Sequence, residues 1–150
     1  MKTRFLHKEE PFIYDLLLLA DETIEAINKY FDDSEIYGIE LDQKLVGLYA
    51  LYELNNEEIE IKNIAVSEEF QGKGIGTFLL KDAIEKSKQK GYKTIIIGTA
   101  ETSIHQLRLY QQVGFQRFSI KKAFFLENYV ELIFENGILL KDMIMLKMEL

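Results

Sequence analysis

The chain has 150 residues, 47% of them hydrophobic and 29% charged, with one Pro and no Cys. A chain of this length buries roughly 68–70% of its unfolded surface, which excludes a disordered or collagen-like polymer and any need for staples. The missing cysteines remove disulfides, thiolate metal sites and a cysteine nucleophile, and a net charge of -7 argues against nucleic acid, which needs a basic surface.

Met1 to Glu10 is charged throughout, and no later run approaches the ~18 uncharged apolar residues of a membrane span, which predicts a cytoplasmic protein without a membrane partner. Pro11 opens an apolar stretch, Phe12 to Ala20, and Asp21 with Thr23 can cap a second short helix running to about Tyr30. Three strands at hairpin spacing follow: Glu35 to Leu41, Leu45 to Leu54 and Glu58 to Val66, joined by turns at Asp42-Gln43-Lys44 and Asn55-Asn56. The pattern then changes to helix (Thr77 to Lys90), strand (Thr94 to Thr99), helix (Ser103 to Val113) and strand (Phe115 to Ile120), with Gly91 and Gly114 as helix stops. Phe124 to Tyr129 fits helix and strand equally, and Asp142 to Met148 reads as a last strand. No linker or repeat divides residues 1–150, so the expectation is one domain: an antiparallel meander followed by a βαβαβ run, giving a mixed α/β (α+β) sheet flanked by helices.

The third of these strands carries an irregularity. Ile59 and Ile61 share one parity, whereas Ile64 and Val66 fall on the other. A β-bulge near Lys62-Asn63 restores the phase and frees backbone amides for a ligand. A central strand buried on both faces explains the same residues without a bulge, because parity then carries no information.

Charge is distributed unevenly. Met1 to Phe70 holds 6 basic and 17 acidic residues, whereas Gln71 to Lys93 holds 6 basic and 2 acidic. A solvated lysine-rich helix face accounts for the cationic stretch on charge alone. The same stretch, however, opens with Gln71-Gly72-Lys73-Gly74-Ile75-Gly76, a loop running straight into a helix N-terminus. Glycines at alternate positions let the backbone approach a ligand closely, and free amides with the helix dipole behind them suit a pyrophosphate. The loop is neither a P-loop nor a dinucleotide G-x-G-x-x-G fingerprint. A nucleotide-binding protein using this loop is nonetheless one reading of it.

Ile64-Ala65-Val66, then Gln71-x-x-Gly74-x-Gly76, then Leu109-Tyr110 ahead of Gly114-Phe115, together resemble the GNAT superfamily of N-acetyltransferases. The likeness is most specific from Ile59 to Phe115, and the ending Phe134-Glu135-Asn136-Gly137 with Asp142-Met143 is similar to small bacterial members of unassigned substrate. The resemblance implies acetyl-CoA as cosubstrate, no metal, and a small-molecule or peptide amine as acceptor, with a homodimer left open. It implies that backbone groups of Ile64 and Val66, flanking Ala65, pair with the pantetheine arm. Amides from Gln71 through Gly72, Lys73, Gly74 and Ile75 to Gly76 would hold the diphosphate. Ser103 stands where many members have an Asn that contacts the cofactor, and it also suits an N-cap. The acceptor pocket would come from the first two helices and the segment after Phe115. The acidic first 70 residues then favour a cationic or amino-bearing acceptor.

Acetyl transfer needs a base for the amine and a proton for the departing thiolate. The resemblance assigns the proton to Tyr110, whose alternative is a core position at helical spacing from Ile104 and Leu107. Glu60, a few residues before the proposed bulge, is the first candidate base, against a plain solvated strand acid; Glu58 and a water chain are the other candidates. With no Cys the transfer is a direct attack in a ternary complex rather than a relay through a thiol. A regulatory module that binds acyl-CoA without turnover is the remaining alternative.

Overall fold

A computed structural model describes all 150 residues. Its strands are β1 (Thr3–Phe5), β2 (Ser34–Leu41), β3 (Lys44–Glu53), β4 (Glu58–Val66), β5 (Thr94–Ala100), β6 (Gln116–Lys121), β7 (Phe134–Glu135), β8 (Ile138–Leu139) and β9 (Met143–Glu149). Seven of them form one sheet in the spatial order β1-β2-β3-β4-β5-β9-β6, while β7 and β8 pair as a separate small hairpin. Only β4 and β5 are parallel neighbours. The helices are α1 (Ile13–Ala20), α2 (Ile24–Asn28), α3 (Ile75–Gln89), α4 (Ile104–Val113) and α5 (Phe124–Glu127).

Two cores, one on each face of the sheet, follow from the period-2 alternation of the strands. Tyr37, Tyr49, Leu51, Ile59 and Ile61 pack with Leu79 and Leu80 of α3 and Leu107 and Tyr110 of α4. Ile36, Leu48, Ala50 and Ala65 point the other way and are covered by Ile13, Leu16 and Leu17 of α1 with Ile27 of α2. The expected meander is present, and its first turn narrows to Asp42-Gln43, both at positive φ (52° and 66°), so that Lys44 pairs directly with Leu41. That conformation matches the right-handed twist of the strands it joins.

The bulge is present as well. Ala50 pairs with Asn63 and Leu51 with Ile61, which leaves Lys62 as the extra residue. Ile59, Ile61, Ile64 and Val66 therefore all turn toward the α3 core. The strand is also buried on its second face, at Glu60, Asn63 and Ala65, so both readings of its parity hold.

Four features differ from the sequence reading. Neither β1 nor the β7–β8 hairpin was expected; strands of two or three residues are too short for a periodic signal. α3 begins at Ile75 rather than Thr77, because Gly74 takes a left-handed φ of 83° as its N-cap and Ile75 is needed in the core. Most consequentially, β6 does not lie beside β5, because β9 inserts between them, antiparallel to both. Burial explains the order. Every residue of β6 is exposed, which suits an edge, whereas Ile144, Met145 and Leu146 of β9 are buried and need a neighbour on each side.

The first strand is held by Asp82 of α3, whose Oδ2 accepts from the Thr3 hydroxyl (2.7 Å), the Tyr49 hydroxyl (2.6 Å) and Lys86 Nζ (2.8 Å). Burial opposes ionisation of this carboxyl, but the donors from Lys86, Tyr49 and Thr3 outweigh it and hold Asp82 below the ordinary aspartate value. A depressed native value means that the stabilisation is complete above the unfolded pKa of about 3.9 and is lost as pH falls through the native one. Asp82→Asn is therefore expected to cost about 1–2 kcal/mol near neutrality. The gap to wild type should shrink in urea melts taken between about pH 5 and pH 3, and a gap independent of pH would refute this assignment.

Candidate active site

Parallel pairing of β4 with β5 ends at Ile61 and Ile97. Beyond that point the strands part, and a cleft of roughly 690 Å³ opens between Lys62–Val66 on one side and Gly98–Ala100 on the other. Because α3 and α4 cover one face of the sheet and α1 and α2 the other, the cleft reaches both faces.

The free edge of β4 has a defined polarity. Ser67 N donates to Val46 O of β3 at 2.8 Å, so the Val66 carbonyl, on the opposite side of that peptide, points away from β3 into the opening. With a period of two, the backbone groups of Ile64 turn the same way. Gln71 Nε2 donates to the Val66 carbonyl at 2.9 Å and ties the glycine loop to the end of β4. Ala65 lies between, its side chain buried against the α1 core.

At the start of α3, Gly74 has no side chain with which to cap the first amides, and the first backbone bond of the helix is Phe78 N to Gly74 O (3.0 Å). The amides of Ile75, Gly76 and Thr77 thus lack carbonyl partners, with the dipole of a 15-residue helix behind them. Gln71, Gly72 and Gly76 line the cleft; Lys73, Gly74 and Ile75 do not. Lys73 Nζ lies 5.3 Å from the Phe70 ring centroid, and the Ile75 side chain belongs to the core, so Ile75 has only its amide to offer a ligand.

Replacing Gly74 tests this end of the cleft. A Cβ built there meets nothing within 4 Å, so the cost of Gly74→Val is the left-handed φ and the new bulk beside the amides, not a clash inside the fold. Calorimetry is expected to show acetyl-CoA binding weakened by about tenfold or more in a protein that still melts cooperatively. Unchanged affinity would take the loop out of the site.

Tyr110, from the last turns of α4, is 5% exposed and lines the cleft. Burial alone pushes its hydroxyl up to about 12, with no hydrogen bond or neighbouring charge contributing. It is therefore a protonated and uncommitted donor at neutral pH. Ser103 also lines the cleft, 9% exposed, at the N-cap position of α4, but its side chain makes no capping bond, so the hydroxyl is available to a ligand. Glu60 is 7% exposed, in the cleft wall, with Lys62 Nζ 3.2 Å from its Oε1. Glu58 does not line the cleft; it accepts from Asn55 in the preceding turn.

Sequence reasoning passed over Asn63, Asp21, Tyr30 and Tyr129, all of which line the cleft. A lone amide in the middle of an apolar strand was the one signal available. The other three are joined only by hydrogen bonds spanning up to 108 residues, which leave no local pattern.

The parted end of a parallel strand pair, an uncapped helix N-terminus at the mouth and a free phenol inside thus meet in one cleft. A sequence profile of the Acetyltransferase (GNAT) family matches residues 4–115. The chain is 47% identical over 138 residues to the uncharacterized N-acetyltransferase YvbK of Bacillus subtilis, covering 92% of this chain and 89% of that one. A GNAT family acetyltransferase from Elizabethkingia anophelis, solved with acetyl-CoA bound, superposes with a TM-score of 0.95 at 48% identity, covering 99% of this chain and 97% of that one. A Bacillus subtilis acetyltransferase solved with CoA gives a TM-score of 0.92 at 44% identity, with 99% and 98% covered. The chain belongs to the GNAT family and is an acetyl-CoA-dependent N-acetyltransferase.

Proposed function

We propose that the chain acetylates an amine by direct attack on the thioester of acetyl-CoA in a ternary complex within the cleft. The observation that carries this reading is the uncommitted Tyr110 hydroxyl, buried and protonated, in the same cleft as the edge of β4 beyond Ile61. In the proposal, pantetheine adds to that edge through the backbone groups of Ile64 and Val66, past Ala65. The diphosphate lies on the amides from Gln71 to Gly76, and Ser103 offers a hydroxyl across the opening. The ammonium first gives a proton to Glu60, and the neutral nitrogen then attacks the thioester carbonyl carbon. The C–S bond breaks as the tetrahedral intermediate collapses, the sulfur takes its proton from Tyr110, and the proton that nitrogen sheds on becoming an amide returns to the Tyr110 oxygen by way of water.

A module that only binds acyl-CoA has no use for an uncommitted phenol at this point. Residues 1–150 act as one domain in this reading. The compartment we assign is the cytoplasm, supported by the bacterial relative; no helix is long and apolar enough to cross a membrane.

The test is direct. Protein mixed with acetyl-CoA and a panel of primary amines should release thiol in step with an acetylated amine seen by mass spectrometry. Tight acetyl-CoA binding with no release for any amine would favour the module instead.

A further inference from the structure

The side of the cleft covered by α1 and α2 is crowded with acceptors. Asp21 and Glu22, from the connection between these helices, share its wall with Glu135 of β7, and none of the three forms an ion pair with any lysine or arginine. Partial burial, then the charges of Glu135 and Asp21, hold the Glu22 carboxyl above the ordinary glutamate value. Unrelieved repulsion of this kind marks a place that a cation would stabilise. Lys29 and Lys121 also line the cleft without closing on these carboxylates.

A second, independent feature lies deeper. Asn63 is 4% exposed and sits in the cleft wall beside the bulge. Its Nδ2 donates to the Leu17 carbonyl (2.9 Å) and to the Tyr30 hydroxyl (3.1 Å). The Leu17 carbonyl can only accept, which decides which end of the amide is nitrogen. Asn63 Oδ1 is left buried with no partner. An unused buried acceptor is costly unless something supplies a donor.

Asp21 organises this wall. Its Oδ2 takes the Tyr30 hydroxyl (3.1 Å), and its Oδ1 takes the Tyr129 hydroxyl (2.7 Å) and Glu22 N (2.8 Å). With both phenol protons spent on Asp21 and the Asn63 amide hydrogens spent on Leu17 and Tyr30, the group Asp21, Tyr30, Asn63 and Tyr129 has acceptors to offer and no donors. An amine or ammonium is the complementary ligand, because it brings donors. Acceptors stand at two depths, Asn63 Oδ1 within and Glu22 with Glu135 at the exposed rim, and Phe124 and Phe125 form an apolar wall of the same cleft.

We propose that the acceptor is a linear aliphatic diamine or polyamine, its attacking nitrogen giving an N–H to Asn63 Oδ1, its methylenes along the aromatic wall and its distal ammonium between Glu22 and Glu135. This rests on the transferase reading above. The test separates the two by measuring binding apart from turnover. With the CoA-saturated protein at low salt, calorimetry is expected to show 1,4-diaminobutane binding at least tenfold more tightly than 1-aminobutane, and 4-aminobutanoate binding more weakly than either. Glu22→Gln and Glu135→Gln are rim substitutions outside both cores. Each should cut diamine affinity about fivefold, and the double variant should bring the diamine-to-monoamine ratio near one. Asn63→Leu should weaken diamine and monoamine by similar factors.

Equal binding of diamine and monoamine, or a preference that survives the double variant, overturns the proposal. Diamine binding without thiol release keeps the subsite and removes the transferase reading. Thiol release without a diamine preference does the reverse.

Discussion

Tyr110→Phe is expected to lower kcat by roughly 10²–10⁴ while leaving acetyl-CoA affinity and Tm close to wild type. The ring stays in place: Tyr110 packs in the α3–α4 core with its centroid 6.3 Å from that of Phe115, and phenylalanine keeps that packing. Only the hydroxyl is removed, and it makes no hydrogen bond within the protein whose loss could destabilise the fold. A departing thiolate has a conjugate-acid pKa of about 8.5, so a phenol held near 12 is a weak acid toward it. The phenol acts as the C–S bond breaks and charge builds on sulfur, where a hydrogen bond from it already lowers the barrier before the proton moves. Wild-type turnover in a folded Tyr110→Phe protein would show that water protonates the sulfur and would return Tyr110 to a packing role.

Glu60→Gln is expected to reduce kcat/KM at pH 7 by about 10² or more, with a deficit that shrinks as pH rises. The sign follows from the acceptor. A primary alkyl amine has a pKa near 10, so at pH 7 it arrives protonated and needs a base. With Glu60 neutralised, the reaction depends on the fraction of free amine, which grows tenfold per pH unit until about pH 10. The variant's log kcat/KM should therefore climb with a slope near one across that interval, while wild type levels off earlier. Glutamine is close to glutamate in size, but it gives up the Lys62 ion pair at 3.2 Å, so Lys62→Met is the needed control. Parallel pH profiles for wild type and Glu60→Gln would assign proton removal to a water chain.

Much of the donor side was legible because its signals are local. The limits of β4 were read correctly at Glu58 and Val66, since the Asn55-Asn56 turn marks one end and the β-branched residues mark the strand itself. The broken parity of Ile59, Ile61, Ile64 and Val66 pointed to a bulge near Lys62-Asn63 as one of two readings, and the register puts it at Lys62. The loop from Gln71 to Gly76 announced itself through glycine spacing, although the helix start was misplaced by two residues. A left-handed Gly74 can end a loop as well as sit within one, and only the core's need for Ile75 decides between them.

The acceptor side was legible only as an excess of acid. Asp21 lay where a helix cap was expected, but Thr23 does the capping, accepting from Ala26 N at 3.1 Å, and Asp21 is committed to Tyr30 and Tyr129 instead. Choosing between two neighbouring polar residues for a cap depends on what else each can reach, and Tyr129 comes from a segment whose conformation the sequence left ambiguous.

By itself, then, the sequence determined the order of the elements from β2 to β6 and the last strand β9, the place where the parity of β4 breaks, and the phosphate-type loop, because each rests on periodicity, turn chemistry or glycine within a few residues of chain. Tertiary structure decided three further things. It inserted β9 between β5 and β6, it parted β4 from β5 beyond Ile61 and Ile97, and it joined Asp21, Tyr30, Asn63 and Tyr129 into one wall. The physical reason is common to all three. Strand neighbours and buried hydrogen bonds are chosen by which surfaces and polar groups remain unsatisfied once the rest of the chain has folded, and that remainder is not a property of any local segment.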